Sequence, residues 1–366
     1  MLLQGHKKEN WEVKIKVEVV VTKKQNLMDF CSKALEKVGV NVTDAKIAAE
    51  VLTTNEMRGI KSHGVIRLEG YIKQLILGTM NNRATLDTVR EGQAWVLVDG
   101  NFGLGVVTAH KAMKIAIKKA KQNGIGMVCV KNSLHFSAAG YYSWMCANEN
   151  MIGIAMSNAD ITMTIPGAVG RVIGNNPFSY AAPAGKDMSI CLDMAMSKVA
   201  GGKIVIATKE NRDIPNDWMV DSEGRPTTDP GDYDKGGALL PFGGYKGYGL
   251  AIMVECLAAA LSGASMTKEA TAYRFNSESN GSVGHFFIAI NIDHIIPIQD
   301  FKNRVSDFIK ELKNSPMVEG VKNIFFPGEI EFLNEKDSAK NGIKLGQATI
   351  NTLKTVADDL KLNLNL

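Results

Sequence analysis

The sequence predicts an α/β protein with a substantial sheet, and three observations carry that prediction. Through the middle of the chain, short apolar runs alternate with stretches of helical periodicity, the order in which strands and helices share one core. Of 366 residues, 45% are hydrophobic and 22% charged, the balance of a globular chain and not of a disordered one. Glycine is the third observation. Its 35 residues, beside ten prolines and no repeating tripeptide, exclude collagen and belong in turns, helix ends and close backbone approaches.

Each element has its own local signal. Val13, Ile15, Val17 and Val19 alternate with Lys14, Lys16 and Glu18, a half-exposed strand within an N-terminal extension, residues 1–25. Helices follow over 27–38, closed by Gly39, over 43–52 with Thr43 as cap, and over 65–76, closed by Gly78. Then come a strand at 95–98, a helix at 106–121, a strand at 127–130 and a helix at 138–148. Strands are expected at 152–156, 178–182, 189–192 and 285–292, with a buried helix at 250–261. Helices at 301–312 and 347–360 end the pattern.

Charge and cysteine usage narrow the class. Lys+Arg number 42 against 38 Asp+Glu, and a net charge of +4 on this length is no footprint for nucleic acid. Cys31, Cys129, Cys146, Cys191 and Cys256 are odd in number, far apart and without a CxxC pair, which fits reduced thiols in the cytoplasm. His6, His110, His285 and His294 show no ligand spacing, so no metal site is expected. The N-terminus lacks an apolar signal region, and the apolar run at 250–261 is interrupted by Glu255 and too short to cross a membrane.

A glycine-rich α/β chain invites a search for a dinucleotide fingerprint. The nearest candidate, Gly103-Leu104-Gly105 after a predicted strand, fails where Thr108 replaces the third glycine. Gly201-Gly202-Lys203 is not a Walker loop either, and neither HExxH nor GxSxG occurs.

Four constellations remain. His63, Arg67 and Tyr71, spaced by four, fall on one helical face, either gripping a small carboxylate or forming a solvated polar stripe. His135 follows a predicted strand and precedes a helix whose N-terminus would keep it neutral, as a base or as a cap. The glycine loop at 240–249 carries Lys246 and suits an anion. Gly174-Asn175-Asn176-Pro177 precedes Asp193, which orients a histidine or ribose, or caps a helix.

Together these residues carry a resemblance. Arg58-Gly59-Ile60-Lys61-Ser62-His63-Gly64-Val65-Ile66-Arg67, the His135 segment, Gly174–Pro177, Leu192-Asp193-Met194-Ala195 and Gly243–Gly249 occur in that order. From about residue 26 onward the chain resembles the type 2 malate/L-lactate dehydrogenase family, which includes ureidoglycolate and sulfolactate dehydrogenases. The resemblance implies a mixed-sheet α/β fold with helical N- and C-terminal regions, not a Rossmann fold. It implies a homodimer that oxidises a 2-hydroxy acid, malate foremost, with NAD or possibly NADP.

Residue by residue, the resemblance makes His135 the acid/base, with Asp193 beside it. Ser62, His63, Arg67 and Tyr71 would line the substrate site. Ser157, Asn175, Asp193, Met194, Ala195, Lys246, Gly328, Glu329 and Ile330 would contact the cofactor. It divides the chain into a helix-rich part, 26–120 with 311–366, and a cofactor-binding part, 121–310. Two positions depart from the pattern: Leu134 stands where relatives often carry Asn or Gly, and Ser137 where they often carry Gly.

Overall fold

The computed structural model describes residues 20–185, 188–270 and 282–366, so the alternating segment at 13–19 lies outside the described residues. β1 (Val20–Thr22) leads into α1 (Lys24–Lys37) and α2 (Val42–Met57). Two 3-10 turns, Lys61–His63 and Val65–Arg67, precede α3 (Leu68–Leu77). Then follow β2 (Asp87–Glu91), β3 (Trp95–Asp99), α4 (Gly105–Asn123), β4 (Ile125–Ser133), α5 (Ala139–Asn148) and β5 (Met151–Ser157). Next are β6 (Ile161–Met163), β7 (Ile173–Gly174), β8 (Phe178–Ala184), β9 (Met188–Met194), α6 (Gly201–Lys209), β10 (Met219–Val220) and β11 (Ala238–Leu239). α7 (Tyr245–Val254) runs into a π-helical turn, Glu255–Ala260, before β12 (Val283–Asn291) and α8 (Ile298–Lys313). α9 (Glu329–Asn341), β13 (Ile343–Leu345) and α10 (Gln347–Leu360) come last.

Seven strands form the main sheet in the order β2-β3-β4-β12-β5-β8-β9. Only β3 and β4 pair in parallel; the other neighbours in this sheet are antiparallel, unlike a doubly wound dinucleotide fold. A four-stranded sheet, β10-β11-β6-β7, and the β1–β13 pair are the other sheets among the described residues. This is the mixed α/β architecture the sequence predicts.

β12 shows how one strand builds two cores. Phe287 and Ala289 face the core shared with α4 and α5, while Phe286 faces the core shared with α7 and the small sheet. Glycine permits the close approach on either side. A Cβ at Gly126 would lie 2.0 Å from the Ala116 carbonyl of α4, and one at Gly284 would lie 1.9 Å from that of Ala258.

Three sequence expectations are corrected. Asn41, not Thr43, caps α2, its side chain accepting the Asp44 N–H. The helix expected as buried at 250–261 begins at Tyr245, turns π-helical, and leaves Leu250, Ile252 and Leu261 exposed. His63, Arg67 and Tyr71 do not share one helix: Gly64, extended at φ −88°, breaks it after His63. The strands of the small sheet, two or three residues each, are too short to show a period, and α6 and α9 escaped notice for want of a strong apolar stripe.

Candidate active site

His135 stands in the loop between β4 and α5. That loop is held from below. A Cβ at Gly105 would lie 2.0 Å from the Leu134 carbonyl, so the start of α4 abuts the loop backbone. Phe136 stacks on His285 at 4.6 Å, and His285 is fixed between the hydroxyls of Ser157 at 2.9 Å and Ser133 at 2.7 Å. Complete burial pushes the His285 pKa down to about 3, so this histidine is a neutral strut across β4, β12 and β5.

Tyr71 fixes the His135 ring. Its hydroxyl lies 2.8 Å from Nδ1 and 3.4 Å from the His135 carbonyl. A phenol has one proton to give. Both contacts are hydrogen bonds when Tyr71 donates to the carbonyl and Nδ1–H donates to Tyr71, which leaves Nε2 as the basic nitrogen. At the α5 N-terminus, the Gly140 N–H goes to Asp193 Oδ2 at 2.8 Å.

The second arm is the double 3-10 turn. Ser62 Oγ meets His63 Nδ1 at 2.9 Å, and Arg67 Nε donates to the Ser62 carbonyl at 2.6 Å. The His63 and His135 rings stack with centroids 5.7 Å apart. A guanidinium, two imidazoles and a phenol thus meet at one end of a cavity of about 350 Å³.

The expected residues divide into two groups. Ser62, His63, Arg67, His135, Ser157, Asn175, Asp193, Met194 and Ala195 line this cavity, and Tyr71 touches it through His135. Ser157 has its hydroxyl engaged by His285, and Asn175 meets Met196 through its carbonyl at 2.8 Å. Lys246, Gly328, Glu329 and Ile330 lie outside the cavity wall. Lys246 is exposed at the start of α7, Gly328 packs against Cys191 of edge strand β9, and Glu329 pairs with Lys313. Asp193 lies on the cavity wall and is exposed to the open cavity, with protein atoms crowded around its carboxyl. Desolvation by those atoms raises its pKa to about 6, with the Gly140 N–H opposing the rise, Glu331 adding to it and Arg58 opposing it.

Sequence reasoning missed several wall groups. Gln74, 5% exposed, lines the cavity with Oε1 unpartnered, and Thr162 does so with Oγ1 unpartnered. Gly201 and Gly202, at the start of α6, face the same space. Asn55 and Glu56 lie behind the wall. Their signal was legible: Ala48, Val51 and Leu52 define the buried stripe of α2, and Asn55 continues it.

Glu56 is 2% exposed, and its Oε2 accepts the Val65 N–H at 3.2 Å in the turn between His63 and Arg67. Burial is the main cause of a pKa pushed up to about 7; the Val65 N–H and Lys61 oppose it. The unfolded chain therefore releases this proton first, and stability is lost as pH rises from about 4 through 7. Glu56→Gln should be more stable than the parent at pH 8, by up to about 3 kcal/mol. The two should converge near pH 4. Urea titrations at both pH values check this, and equal stabilities at pH 8 would refute it.

Comparison with known proteins decides the family. The malate/L-lactate dehydrogenase family model matches residues 22–354. The chain belongs to that family. A malate dehydrogenase of Pyrococcus horikoshii is 40% identical over 341 residues, covering 91% of this chain and 94% of that protein. An L-sulfolactate dehydrogenase of Methanocaldococcus jannaschii is 39% identical over 345 residues, 94% of this chain and 98% of its own. The solved malate dehydrogenase of Entamoeba histolytica superposes with a TM-score of 0.90 at 31% identity, covering 95% of this chain and 100% of that one. As a member of the family this chain is an enzyme, a dehydrogenase of hydroxy acids.

Proposed function

We propose that the enzyme oxidises a small 2-hydroxy acid to the 2-keto acid with NAD, NADP being the alternative, and that its first substrate is (S)-malate. The observation that carries this reading is the Tyr71–His135 contact at 2.8 Å beside the Ser62–His63–Arg67 arm. Arg67 holds the carboxylate, and Nε2 of His135 takes the hydroxyl proton as C2 is oxidised. In the reverse direction His135 returns it. Tyr71 keeps the imidazole in its basic tautomer, and Asp193 places negative charge near the imidazolium that forms.

The cavity fits a nicotinamide beside such an acid. Its lining includes small and apolar residues, Ala138, Ala139, Pro177, Met194 and Ala195, while Gln74 and Thr162 offer unpartnered polar atoms. NAD or NADP, when bound, supplies the hydride acceptor. Ser157, Asn175 and Asp193–Ala195 would hold its reactive end, and Lys246 with Gly328–Ile330 the remainder. We read 121–310 as the part that binds it, and 26–120 with 311–366 as the substrate and dimerisation part. A cytoplasmic homodimer is the expected assembly.

One observation favours an acid with two anionic groups over L-lactate. The start of α6, a helix of nine residues with no side-chain cap, lines the cavity at Gly201 and Gly202, opposite Ser62. Its N–H groups favour a second anion, which suits malate and sulfolactate. The test is absorbance of reduced nicotinamide with malate, sulfolactate, lactate and ureidoglycolate, and with keto and imino acids in reverse, using each cofactor. The largest kcat/KM should fall to malate with NAD. Preference for lactate would refute the two-anion reading, and no turnover with any acid would leave a catalytically silent nucleotide-binding dimer.

A further inference from the structure

We infer that Ser137 is a positioning residue that locks the His63 arm to the His135 loop, with Asn55 aligning its hydroxyl; the inference presupposes His135 as the acid/base. Ser137 has φ +69°, left-handed backbone that favours glycine, and is 4% exposed. A serine there is a cost to the fold unless its hydroxyl returns something. Its Oγ donates to the His63 carbonyl at 2.5 Å and accepts from Asn55 Nδ2 at 2.9 Å. Asn55, wholly buried in α2, also reaches the His63 carbonyl at 3.4 Å. One buried triangle therefore joins the His135 loop to the end of α2 and the turn that follows it.

The triangle joins the two stretches that carry the stacked rings, with Ser137 itself on the cavity wall. His63 supplies the carbonyl, and Ser137 stands two residues beyond His135. Arg67 is tied to the same arm through the Ser62 carbonyl. The distance from the carboxylate grip to the base is thus set by Ser137 and not by the sheet alone. A 2-hydroxy acid fixes the spacing between its carboxylate and its hydroxyl, so slack between the two arms removes the reactive geometry while the imidazole and the guanidinium themselves remain.

Two variants separate this role from a merely structural one. Ser137→Gly relaxes the backbone and deletes the hydroxyl; Ser137→Ala deletes the hydroxyl and keeps the strain. Ser137→Gly should melt at or above the parent temperature, yet lose roughly 10- to 100-fold in kcat, with the KM for NAD unchanged. Ser137→Ala should show the same kinetic loss and a lower melting temperature. In protein with labelled histidines, the nuclear Overhauser contact between the His63 and His135 rings should weaken in both. With His135→Ala inactive, turnover of Ser137→Gly within about twofold of the parent overturns the inference, whatever the ring contact does. Should His135→Ala retain its turnover, the acid/base reading falls by itself, and the ring contact still decides whether Ser137 locks the arms.

Discussion

His135→Ala should lower kcat by about two to four orders of magnitude while leaving the affinity for NAD close to that of the parent. The expectation comes from the division of labour in the cavity. In the proposed reading the imidazole is the base, its orientation fixed by Tyr71, while the loop that carries it is also supported by Phe136 on His285. The variant should therefore fold and bind cofactor normally, with the loss confined to turnover. Tyr71→Phe should fall between the two, because the ring remains but its tautomer is no longer specified. Stopped-flow absorbance of reduced nicotinamide, with binding measured separately by calorimetry, checks both. A His135→Ala enzyme within a few-fold of the parent would remove this residue from proton transfer.

The parts of this site legible in the sequence are those with a local signature. His135 follows the last residues of a strand that reads clearly as one, and Arg67 and His63 flank the glycine that breaks their helix. Groups that act from behind were not read, because their partners are distant in sequence. Asn55 and Ser137 are 82 residues apart, and Ser133 and His285 are 152 apart. In the sequence His285 is only a histidine without ligand spacing, and its role as a neutral strut needs β4, β5 and β12 side by side. The glycine excess pointed to a dinucleotide fingerprint that is absent. Much of it serves packing instead, where Gly105, Gly126 and Gly284 let helices approach the sheet and the His135 loop. The small sheet bordering the cavity was missed for a simpler reason: two-residue strands carry no period.

Arg67→Lys should raise the KM for the acid by roughly 10- to 150-fold, the worth of about 1.5–3 kcal/mol in charged hydrogen bonds, with a smaller fall in kcat. The reason is geometric. Nε of Arg67 is committed to the Ser62 carbonyl at 2.6 Å, which sets the plane of the guanidinium. An ammonium is a point charge and cannot hold the carbonyl and fork onto a carboxylate together. Arg67→Met, which keeps bulk and loses charge, should lose more, and in kcat as well, because the acid is then no longer oriented toward His135. These losses should be alike for malate and lactate, since both offer the same 1-carboxylate. Any preference for a second anion is expected from the start of α6, where Gly201 and Gly202 line the cavity, and should survive in Arg67→Lys as an unchanged ratio of kcat/KM between the two acids. A KM left at the parent value would move the carboxylate grip away from Arg67. A ratio that collapses would mean that Arg67 reads the second anionic group and not the first.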